Sequence, residues 1–144
     1  MDGTKTLPDQ FRGALRKLAT TITIITAGEG ESRTGMAATA VMPATTEPPT
    51  LLIAVNKSAS IHSVIVHSGS FCVNLLRQNH GNLVGIFSGG KKGLERFADG
   101  SWRHSARGVP VLSDALATFH CNVDRSYEIG THTIFVVKPF FYAS

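Results

Sequence analysis

At 144 residues, with 42% hydrophobic and 17% charged residues, the chain has the length and makeup of one soluble globular domain over residues 1–144. No apolar stretch approaches the ~20 residues a membrane helix needs, and residues 1–5 carry no charged-then-apolar leader pattern, so the expected setting is the cytoplasm, away from membranes. The net charge of +4 is modest and no basic stripe is interleaved with exposed-looking aromatics, which argues against nucleic acid and for a cationic pocket that takes a small anion.

Beyond Pro8 and Asp9, the apolar residues Phe11, Ala14, Leu15, Leu18 and Ala19 share one helical face and predict a helix over 11–19. The β-branched run Thr20–Thr26 predicts a first strand, the polar stretch Gly28–Ser32 a hairpin loop, and Arg33–Val41 the returning strand. Pro48-Pro49 ends that segment, and Leu51–Val55 predicts a third, buried strand. Ser60 is expected to cap a helix running through Ile61, Val64 and Ile65, with Gly69 stopping it. Phe71–Leu76 reads as a fourth strand, Asn82–Phe87 as a short helix, Ser88–Gly93 as a loop and Leu94–Ala98 as a helical turn. Leu116–Asp124 and Thr131–Lys138 are the last two strands. Strands without strict strand-helix alternation predict a mainly β fold, an antiparallel barrel with helices packed outside, and not a doubly wound sheet. Cys72 and Cys121 each lie inside an apolar run and are expected as buried free thiols; neither has a second ligand at zinc-type spacing.

The densest chemical signal is Gly35–Ser60. Ala37, Ala38, Thr39 and Ala40 make a strand with little side-chain bulk, against which a flat ligand can lie, although the same residues suit a tightly packed core strand. Asn56, Lys57, Ser58, Ala59 and Ser60 offer an amide, an ammonium and two hydroxyls, suited to a phosphate and equally to a turn that caps a helix. A flat ring with a phosphate tail fits both halves, and flavin mononucleotide has that form. Gly85–Lys91 satisfies the first seven positions of a phosphate loop, but Lys92 replaces the Ser or Thr that would hold magnesium, and no Gly-x-Gly-x-x-Gly follows a strand. His132, within Gly130-Thr131-His132-Thr133, reads first as a structural histidine and second as a donor to a carboxamide or an anionic ring.

In order and spacing the chain resembles the flavin reductase-like family of split-barrel flavoproteins, the reductase components of two-component flavin-dependent monooxygenases. The resemblance is carried by Gly35–Val41, Glu47-Pro48-Pro49, Asn56–His62, Phe71–Leu76, Phe87-Ser88-Gly89, Arg96-Phe97, Gly108–Leu112 and Gly130–Ile134, across roughly residues 11–137. It implies a split β-barrel of the FMN-binding type, a homodimer with flavin near the interface, and hydride transfer from NADH or NADPH to FMN, with FAD possible. It also implies that Ala37–Ala40 line the flavin ring, that Asn56–Ser60, Phe87, Ser88, Gly89 and Arg96 hold the ribityl phosphate, and that His132 sits on the nicotinamide side. Reduced flavin would then pass to an oxygenase component. The other readings are a flavoprotein that keeps FMN to reduce its own substrate, and a non-catalytic flavin- or partner-binding module. Family members continue past the Thr-His-Thr strand through a further hairpin, whereas here Lys138 is followed by Pro139–Ser144. The expectation is either a contracted ending or an absent final strand that leaves a sheet edge open.

Overall fold

Residues 23–27 (Thr-Ile-Ile-Thr-Ala) are all buried and form β1, covered on both faces, which is why the run carries four β-branched residues in succession instead of alternating with polar ones. The structure is a computed structural model that describes residues 6–10 and 22–143; the helix expected over 11–19 lies outside the described residues. After β1 (Thr23–Ala27) come β2 (Thr34–Ala38), β3 (Val41–Thr46), β4 (Pro49–Asn56), helix α1 (Ser60–Ser68), β5 (Ser70–Leu75) and helix α2 (Gly81–Gly85). The chain ends in β6 (Trp102–His104), β7 (Pro110–Leu112), β8 (Ala117–Ile129) and β9 (His132–Ala143).

The main sheet has seven strands in the order β2-β1-β5-β8-β9-β4-β3, and every pairing in it is antiparallel. Its two end strands, β2 and β3, are separated in the chain only by Thr39 and Ala40. The sheet must therefore curl until its ends meet, since two residues span at most about 7 Å. The mainly β, antiparallel architecture expected from the sequence is present.

β8 and β9 are the hinge of this curl. The first half of β8 pairs with β5 through residues 117–122, and the first half of β9 pairs with β4 through residues 132–137. Register shifts at His120/Cys121 and Val123/Arg125 bend the hairpin between those halves. The expected end of the last strand at Lys138 is corrected, because Pro139 stands opposite Cys121 at the first of these shifts, where a missing ladder N–H costs little. Residues 138–143 have β8 on one side and no strand on the other among the described residues.

Three further differences have local causes. Arg33–Val41 is not one strand: β2 stops at Ala38, and β3 begins at Val41 as an edge strand whose Pro43 sits at its own register shift. The helix after the serine turn has Ala59 as its N-cap, and Ser60 is its first residue, without a side-chain cap. The short helix α2 continues through a wide turn over Ile86–Gly90, in which Gly89 takes φ +108, a conformation that glycine alone adopts freely. β6 and β7, which the sequence did not announce, form a separate two-stranded hairpin.

The largest core packs Ile61 and Ile65 of α1 against Ile25, Ile53, Phe71 and Phe135, all of them buried. Each such side chain contributes roughly 1.5–3 kcal/mol of burial. On the other face of β1 and β5, the fully buried Asn74 ties the β6–β7 hairpin to the sheet. Its Nδ2 donates to the Ile24 carbonyl at 2.8 Å and to Thr26 Oγ1 at 3.1 Å, and its Oδ1 accepts from the Leu112 N–H at 2.9 Å. Cys72 and Cys121 are buried and free, as their apolar settings suggest.

Candidate functional site

The β4–α1 turn is shaped by its own side chains. Asn56 Oδ1 accepts from the Ser58 N–H at 2.9 Å and from the Ser58 hydroxyl at 2.8 Å, an arrangement that closes the turn locally. Ser58 is therefore committed within the turn. Ser60 is not: its hydroxyl lies 3.0 Å from Thr34 Oγ1 at the start of β2. Arg96, in the helical turn Gly93–Ala98, donates from Nη2 to Ser60 Oγ and from Nη1 to Thr34 Oγ1, both at 3.4 Å, and from Nη1 to the Gly93 carbonyl at 3.3 Å. These distances are long for N–H···O bonds. Among the described residues Arg96 has no carboxylate in ion-pair range.

One guanidinium, two hydroxyls and the first turn of a nine-residue helix whose N-cap residue, Ala59, has no side-chain oxygen thus meet at one place. The unsatisfied amides of that first turn carry partial positive charge. A phosphate is the group such a set of donors fits, because it accepts from all three kinds at once.

The remaining candidates fall into three groups. Ala37 and Ala38 belong to β2, whereas Thr39 and Ala40 form the exposed break between the end strands, with the Ala40 carbonyl accepting from the Ala54 N–H at 3.1 Å. Phe87 is 3% exposed, packing edge-on against Phe97 and tilted against Trp102, each with ring centres 5.5 Å away. Its side chain is core, and the structure does not bring it to the hydroxyl cluster; Ser88 and Gly89 beside it are exposed. Lys57 pairs with Glu128 at 3.2 Å and its N–H donates to the Thr131 carbonyl at 2.9 Å, which fastens the serine turn to the β8–β9 turn. His132 is half-buried, stands opposite Asn56 in the β4–β9 ladder, and has Nδ1 2.9 Å from Thr131 Oγ1.

Thr34 was missed by sequence reasoning, as was His62, whose Nε2 lies 2.8 Å from Thr133 Oγ1. Thr34 does precede Gly35 in the small-residue run, but its meeting with Ser60, 26 positions away, is a tertiary fact. No group of three His, Cys, Asp or Glu able to hold a metal occurs among the described residues. What these side chains can do is bind and orient a phosphorylated ligand beside a bare backbone segment. A cavity of 780 Å³ lies elsewhere along α1, between Ser63, His67 and the Gly28–Ser32 turn.

Comparison with known proteins gives this geometry a context. The model of the flavin reductase like domain matches residues 15–140. The FMN reductase (NADH) RutF of Pseudomonas syringae is 40% identical over 124 residues, which cover 86% of this chain and 70% of that protein. Among solved structures, the NADH:FAD oxidoreductase SgcE6 of Streptomyces globisporus superposes with a TM-score of 0.88 at 26% identity, covering 99% of this chain and 85% of that one. The styrene monooxygenase flavin reductase of Pseudomonas putida S12 does so at 0.82 and 26%, covering 94% and 86%.

Proposed function

The chain belongs to the flavin reductase-like family, and from that premise we propose that it is an NADH-dependent FMN reductase that passes reduced flavin to a separate oxygenase. The observation that carries the reading is the meeting of Arg96, Thr34 and Ser60 at the side-chain-uncapped start of α1. FMN supplies the hydride-accepting ring. Arg96, both hydroxyls and the first-turn amides of α1 hold its phosphate, and the exposed backbone of Ser88 and Gly89 closes on the ribityl side.

Ala37, Ala38, Thr39 and Ala40 present backbone and little bulk to the ring, which sets its plane. Asn56 and Ser58 keep the turn in shape, and Lys57 anchors it to the strand that carries His132. His132 faces the nicotinamide and orients the donor. No side chain needs to take up a proton for hydride transfer, so the protein's contribution is alignment and exclusion of water. The resemblance also supports a homodimer working in the cytoplasm, in which a second copy covers the exposed Thr39–Ala40 segment.

The test is a visible spectrum of the purified protein titrated with FMN, followed by NADH oxidation with and without added flavin. Saturable FMN binding and flavin-dependent NADH oxidation are expected. Failure to bind FMN at micromolar concentration overturns the proposal.

A further inference from the structure

A second cavity, of 440 Å³, opens between the segment Arg103–Arg107 and the C-terminal half of β9, and it contains none of the residues assigned to the flavin. Its volume lies in the range of small-molecule sites, about 300–1,000 Å³. The aromatic wall is built by His120 with Phe141, ring centres 5.1 Å apart at 78°, and by Phe140, 6.2 Å from His120. Arg107 lies over the Phe140 ring at 4.9 Å and donates from Nη1 to Asn122 Oδ1 at 2.9 Å. Arg103 also lines the cavity and is in no ion pair among the described residues. None of the lining residues is a carboxylate.

The second observation is His120 itself. It is 7% exposed, and its Nε2 is buried without a hydrogen-bond partner among the described residues. Buried polar atoms are nearly always paired, so an orphan beside a cavity points to a group that the cavity admits. Burial first, and the Arg103 charge second, hold this imidazole below its ordinary value of 6.5.

Two guanidinium groups without a counter-charge among the described residues select an anion, and guanidinium matches a planar carboxylate in bidentate geometry. Three rings around the same space select a flat apolar body. We propose that this cavity is a binding site for a small aromatic carboxylate, with Arg103 on the carboxylate, His120 Nε2 as a further polar contact, and Phe140 and Phe141 against the ring. The site is separate from the flavin cluster and independent of the flavin reading.

The experiment is calorimetric titration of the full chain with benzoate, cyclohexanecarboxylate and inorganic phosphate, each with and without FMN, alongside NMR of the His120 ring. Benzoate is expected to bind at one site per chain whether or not FMN is present, more tightly than the other two probes, and to shift the His120 signals. The exposed substitution Arg103→Gln is expected to weaken benzoate about tenfold, and Phe141→Ala about fivefold, with FMN affinity unchanged in both. No benzoate binding at millimolar concentration, equal affinity in Arg103→Gln, or tighter binding of phosphate than of benzoate overturns the proposal.

Discussion

Gly35→Ala is the most informative perturbation of the flavin cluster, because it adds a single carbon beneath it. Gly35 sits between Thr34 and Met36 in β2 and is buried. A Cβ at this position would stand 2.8 Å from Phe87 Cε1 and 3.0 Å from the Ile25 carbonyl oxygen. The carbonyl belongs to the neighbouring strand and cannot yield without disturbing the ladder. Phe87 cannot swing freely either, since Phe97 and Trp102 enclose its ring and themselves pack at 5.1 Å. Overpacking of this kind costs about 1–3 kcal/mol, which for a domain of this size lowers the melting temperature by roughly 3–12 °C. The relief route is displacement of Phe87, which carries the Ile86–Gly90 turn and shifts Thr34 against Ser60 and Arg96. FMN affinity should therefore fall together with stability, by about threefold to tenfold. Thermal melts by circular dichroism and FMN titration by fluorescence quenching read the two effects. Phe87→Leu on the same chain removes the clashing edge, so a double-mutant cycle should show a favourable coupling of about 0.5–3 kcal/mol. A Gly35→Ala variant that melts and binds FMN like the parent, or a cycle with no coupling, refutes the reasoning.

Arg96→Gln is expected to weaken FMN by roughly 1.5–3 kcal/mol, the range for a charge-assisted hydrogen bond, while riboflavin, which lacks the phosphate, binds unchanged; equal losses for both ligands contradict the phosphate assignment. Asn74→Leu removes four hydrogen bonds, a weak one from the Cys72 thiol among them, and orphans the buried Leu112 N–H, so denaturant unfolding should show a loss of about 3–5 kcal/mol. Burial raises the thiol of Cys72 to about 12 and pushes that of Cys121 higher still. Neither should react with a disulfide reagent at pH 8 until the protein unfolds, and labelling kinetics check this. Asp114 is held below its ordinary carboxyl value of 3.8, chiefly by its hydrogen bond with His80, whose Nε2 lies 3.1 Å from Asp114 Oδ2. A lowered folded-state value stabilises the fold above that ordinary value, and the contribution disappears as pH falls below it. Asp114→Asn should accordingly flatten the acid limb of a melting-temperature profile while leaving the slope above pH 6 alone; an unchanged acid limb contradicts the assignment.

What the residues alone determined was local. The β-branched residues 23–26, the apolar run Leu51–Val55, the glycine at Gly69 and the polar stretch Gly28–Ser32 each carry their conformation in their own steric preferences, and they reappear as strands, a helix stop and a hairpin turn. Family membership was legible for the same reason, being a matter of ordered short segments. The misreadings arose where a local signal was overruled by its neighbours in space. Pro139 announces a strand end, yet the register shift opposite Cys121 absorbs it and β9 runs on to Ala143. Ser60 has the composition of a helix cap, yet its hydroxyl is turned to Thr34 and Arg96. Phe87 lies in a glycine-rich stretch that suggests a ligand loop, yet its ring fills the core under Gly35. Only the tertiary structure decided which polar groups share a place, since Thr34, Ser60 and Arg96 lie far apart in the chain. They meet because β2, α1 and the Gly93–Ala98 turn pack together over a curled sheet, and no local preference encodes that packing.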